Sequence, residues 1–220
     1  MKKTQLFEYL KKQKPSLLIE LLQSAYEELD TDQREDVFGN IIDEIPLSPV
    51  KGDQLLQDIQ AFRSETLSGH YYSPFNINSK NYMHIPEETR IWFSKLGDFL
   101  NDSTRLTEQG DLSTAVECFT ILYDLVEKME AGEDIVFADE IGSWMIPGDE
   151  KLYIHAYLSA AAATSTPEEY ASIAMPLIRR DSYSSFVHKT YASAVNLASE
   201  EQKEHLTEEV KKHKIKTKLR

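Results

Sequence analysis

The residues able to do chemistry in this sequence are few and widely spaced. A nucleophilic role for the single cysteine, Cys118, would need an imidazole brought in from elsewhere, and its place on an amphipathic stretch reads as ordinary packing. His155 sits in the apolar run LYIHAYLSAAAA, where a neutral histidine bonded to a hydroxyl or carbonyl is the expectation and a ligand or general base the rival. Glu133, Asp134, Asp139 and Glu140 form the densest acidic group beside apolar residues, but their spacing fits no EF-hand and reads as a solvated loop. His70 and His84 bracket an aromatic segment without an identifiable third metal ligand. No glycine-rich phosphate loop, H-E-x-x-H or C-x-x-C occurs, and one cysteine excludes a thiolate-rich zinc site. The expectation is therefore no catalytic residue, no metal and no cofactor.

Aromatic side chains carry the other signal. Residues 70–85, HYYSPFNINSKNYMHI, and 132–149, GEDIVFADEIGSWMIPGD, have no helical period, yet both hold more large apolar residues than solvent-facing turns require. Tyr71, Tyr72, Phe75 and Tyr82 in the first, with Phe137 and Trp144 in the second, are the candidate partner-binding residues. Tyrosine and tryptophan give large contact area at low entropic cost and are enriched among interface hot spots. The rival reading is that both segments merely cover helix ends. The two separate on exposure: cover residues are buried, whereas interface residues are partly exposed and contiguous.

The elements that must position these segments are helices. Leu152–Ala163 is uncharged and apolar nearly all round, which predicts a buried central helix. Its twelve residues span about 18 Å, too little to cross a hydrocarbon core of about 30 Å. Before it, helices are expected around 5–12, from Pro15 to about Leu29, around Val37–Ile45 and from Pro49 to Gly69. Two long helices follow, from Pro86 to about Gln109 and from Leu112 to Glu130, the first using Ile91, Trp92, Leu96, Phe99, Leu100 and Leu106. Thr166-Pro167-Glu168-Glu169 and Ser199–Gln202 read as capping boxes opening further helices, with Pro176 expected to kink the first. Phe186, Tyr191, Ala194 and Val195 mark the helix between them.

Gly110-Asp111-Leu112-Ser113-Thr114-Ala115-Val116-Glu117-Cys118-Phe119 resembles the turn and second helix of a tetratricopeptide repeat. Gly110, Ala115 and Phe119 match the turn, the small residue and the large apolar residue of that family. Phe99 can stand for the aromatic of the first helix, whereas Trp92 lies two turns too early. The resemblance covers one repeat, about residues 96–129, and implies a helical hairpin.

At 220 residues the chain suits one domain or two small ones, with ample core for stability without disulfides. Its net charge of −13 argues against a nucleic-acid partner. Six of the Lys/Arg lie in 211–220, so residues 1–210 carry −19 and the end is a basic tail. No apolar run reaches membrane-spanning length, the first residues do not read as a signal peptide, and lone Cys118 agrees with a reducing compartment; the location expected is cytoplasmic.

The reading is an all-α chain of antiparallel helical hairpins, stacked as an α-α superhelix or helical array with two non-helical interruptions. Its parts are 1–69, the loop 70–85, the array 86–212 continuous with 1–69, and the tail 213–220. The function expected is a non-enzymatic scaffold for a protein or peptide partner, with no nucleic-acid or membrane partner. The alternative is a small-molecule or metal-dependent enzyme with its site between the 70–85 and 132–149 loops.

Overall fold

The computed structural model describes residues 3–29, 33–34, 37–38, 48–79, 81, 84–137, 145–180 and 187–215. It is all-α: nine helices among the described residues, and as extended pairing only an isolated parallel bridge between Tyr71 and Val136. The chain divides into two units, Met1–Ser48 and Pro49–Arg220. The first contains α1 (Lys3–Leu10) and α2 (Pro15–Glu28), with Pro15 opening α2. Most of the helix expected over Val37–Ile45 lies outside the described residues.

The second unit contains α3 (Gly52–Leu67), α4 (Glu87–Gln109), α5 (Leu112–Glu130), α6 (Glu150–Thr164), α7 (Pro167–Arg180), α8 (Val187–Leu197) and α9 (Glu200–Lys212). Helix α5 packs on α3, α4 and α6; α6 packs on α4, α5, α7 and α8; α9 lies on α7. Among the described residues the buried core, from Leu55 to Val210, belongs to this unit. Helix α3, grouped by its sequence with the N-terminal part, packs here instead.

Local sequence sets these boundaries. Glu87 and Glu88 place negative charge in the first turn of α4, where the helix dipole favours it. At its other end Gly110 adopts φ 86°, a left-handed conformation that glycine reaches without Cβ strain, and the chain turns directly into α5. Ala115 and Phe119 of α5 are fully buried. Both expected capping boxes form. Thr166 Oγ1 accepts from Glu169 N while Glu169 Oε2 accepts from Thr166 N, and Ser199 and Gln202 make the same reciprocal pair. Gln202 also donates to the Ala162 and Ser165 carbonyls, tying α9 to the end of α6.

Three expectations change. Helix α6 is central in its packing but not buried all round: Tyr153, Tyr157 and Leu158 face inward, whereas Leu152 is 61% exposed and His155 also faces outward. Its small, uncharged residues cannot reveal which stripe is covered, because alanine is tolerated on either side. Ile91 is likewise exposed on α4, where Trp92 and Phe93 occupy the core. Finally, α3 starts at Gly52 after an extended stretch, not at Pro49.

Candidate functional site

The two non-helical segments meet above α3 and α4. The first leaves α3 through a turn at Gly69–His70, and Tyr71 then pairs with Val136 of the second. The Tyr71 ring is 2% exposed and packs on Phe62 at 5.6 Å between centroids. Its hydroxyl donates to Glu65 Oε2 at 2.5 Å and accepts from Lys95 Nζ at 2.8 Å, with Lys95 and Glu65 themselves 3.3 Å apart. The bond from Tyr71, helped by Lys95, holds the Glu65 carboxyl below its usual range. Burial, with the bond to Glu65, pushes the Tyr71 phenol up. Tyr71 is therefore a buried anchor rather than an exposed binding residue, which corrects its expected place on the partner surface.

The second segment leaves α5 at Ala131–Gly132 and buries Ile135 and Val136. The Phe137 carbonyl accepts from Thr89 Oγ1 at 2.8 Å, which fixes this segment to the first turn of α4. Further on, Ile146 is buried and the Pro147 ring lies on Gly97 of α4, where a Cβ would stand about 2.9 Å from the ring carbons. Tyr153 completes the attachment by donating to the Pro147 carbonyl and the Asn101 side chain, at 3.0 and 3.1 Å. These residues are cover.

Three of the expected binding residues behave differently. Tyr72, Phe75 and Phe137 are each half-buried and contiguous, with Phe137 centred 6.3 Å from Tyr72 and 5.3 Å from Phe75. Exposed His84 meets Phe75 edge-on at 5.1 Å. Hydrogen bonding to Asp134, more than burial, pushes the Tyr72 phenol up. The result is a patch of three rings with an acid and an imidazole at its margin. Edge-to-face contacts of this kind are a favoured arrangement of aromatic rings. Tyr82 and Trp144 lie outside the described residues.

The remaining polar candidates go to packing and local bonds. Among the described residues no three His, Cys, Asp or Glu side chains converge on a metal position. His155 is exposed, with Nδ1 3.3 Å from Ser193 Oγ. Cys118 is buried, and burial pushes its thiol up to about 12, away from the thiolate that nucleophilic chemistry requires. Glu133 pairs with Lys128 at 3.4 Å; Asp139 and Glu140 lie outside the described residues. No described helix is long and apolar enough to cross a membrane.

One polar cluster was not legible in the sequence. Arg180, whose neighbour Arg179 and place at a helix end suggest only a dipole contact, has a side chain just 9% exposed. It donates to Glu130 at 3.0 Å, lies 2.8 Å from Glu150 and sits over the Tyr123 ring at 5.6 Å, so it joins α5, α6 and α7. Beneath it Tyr123 stacks on Tyr157, and Tyr157 on Phe119. Burial drives the Tyr123 phenol well above its ordinary range, and its hydroxyl has no hydrogen-bond partner among the described residues. A signal was present only in combination, as an arginine and two glutamates at the ends of three helices. Their meeting is a property of the packing.

Compared with family models, curated proteins and solved structures, the chain matches none.

Proposed function

We propose that this chain is a non-enzymatic helical scaffold that binds a protein or peptide partner through Tyr72, Phe75 and Phe137. The observation that supports it is the division within the two loops: Tyr71, Val136 and Ile146 are buried, while three neighbouring rings stay half-exposed and contiguous. Part-exposed aromatic clusters on a rigid framework are where binding energy concentrates in interfaces. The hairpin of α4 and α5, with its Gly110 turn and buried Ala115 and Phe119, supports reading that part as tetratricopeptide-like. The lone buried cysteine fits a reducing compartment, and the cytoplasm is the proposed location.

The test compares partner capture and thermal melting for Tyr72→Ala and Phe137→Ala in the full chain. Expected is loss of the proteins captured by the wild type, with melting temperatures close to it. Tyr71→Ala, by contrast, should lower the melt. Unchanged capture with both surface variants folded would move the site elsewhere on the molecule.

A further inference from the structure

We draw no further inference here: the strongest candidate, the side-chain cluster where α5, α6 and α7 meet and the buried Tyr123 hydroxyl has no hydrogen-bond partner among the described residues, carries nothing because Glu130 and Glu150 already take up Arg180 and nothing in the structure shows what would meet the hydroxyl.

Discussion

Thr66 and Trp92 offer the sharpest test of how α3 and α4 are held together. Both are fully buried, and the indole Nε1–H donates to Thr66 Oγ1 at 3.0 Å. Thr66→Val keeps the branched shape and the rotamer preference but removes the acceptor. The indole N–H would then be buried without a partner, at a cost of about 1–3 kcal/mol. The added methyl offsets about 0.8 kcal/mol of that, leaving a net loss of about 0.2–2.2 kcal/mol. Thr66→Ser keeps the acceptor and loses a buried methyl, which costs about 1–1.5 kcal/mol by transfer and cavity. Total stability alone therefore does not separate the two causes.

A double-mutant cycle with Trp92→Phe does. Once the indole N–H is gone, Thr66→Val should be stabilising by up to about 0.8 kcal/mol, giving a coupling energy of about 1–3 kcal/mol. Thr66→Ser should cost the same in either background. Thermal melts resolve this, since about 2–4 °C of melting temperature corresponds to 1 kcal/mol in a domain of this size. If Thr66→Val is as costly beside Trp92→Phe as it is alone, the hydrogen bond contributes nothing and this account of the α3–α4 contact is wrong.

Two further outcomes follow from the polar clusters. Arg180→Ala should destabilise by roughly 1–3 kcal/mol, below the ~3–5 kcal/mol of a fully buried pair because both its glutamates keep about a third of their exposure; chemical denaturation checks this, and a change within a few tenths would show that the arginine does not join the three helices. Glu65 has a folded-state pKa held below its ordinary value of 4.5, so its contribution is present above that value and fades as pH falls through the lowered one. Tyr71→Phe removes the bond chiefly responsible, so the gap between variant and wild-type melts should narrow in acid; a gap independent of pH would assign the effect of Tyr71 to packing alone.

Helix boundaries were legible because they depend on neighbours in sequence. The reciprocal bonds of Thr166 with Glu169 and of Ser199 with Gln202 span three residues, and the turn at Gly110 needs only a residue without Cβ. Which face of a helix is covered depends instead on distant elements, and there the pattern misled. Leu152 and Ile91 have the same hydrophobicity as Leu158 and Leu96, yet the first two face outward and the others are fully buried. Arg180 is hard to read for a related reason: a helix-end arginine has a local explanation at hand, and its glutamates lie 30 and 50 residues away in the chain.

The aromatic loops fall between these limits. Their composition announces that they pack, because so many rings are not left in water, but it cannot say which ring turns inward. Tyr71 and Tyr72 are adjacent and identical, and extended backbone sends successive side chains to opposite sides. Val136, pairing with Tyr71, fixes the parity: Tyr71 enters the core against Phe62, and Tyr72 is left outside beside Phe137 and Asp134. One residue of slip in that pairing would exchange their roles. Which rings of the aromatic patch stay exposed is thus set by a single bridge between segments 65 residues apart, held by the Tyr71–Glu65–Lys95 bonds on one side and the Thr89–Phe137 bond on the other.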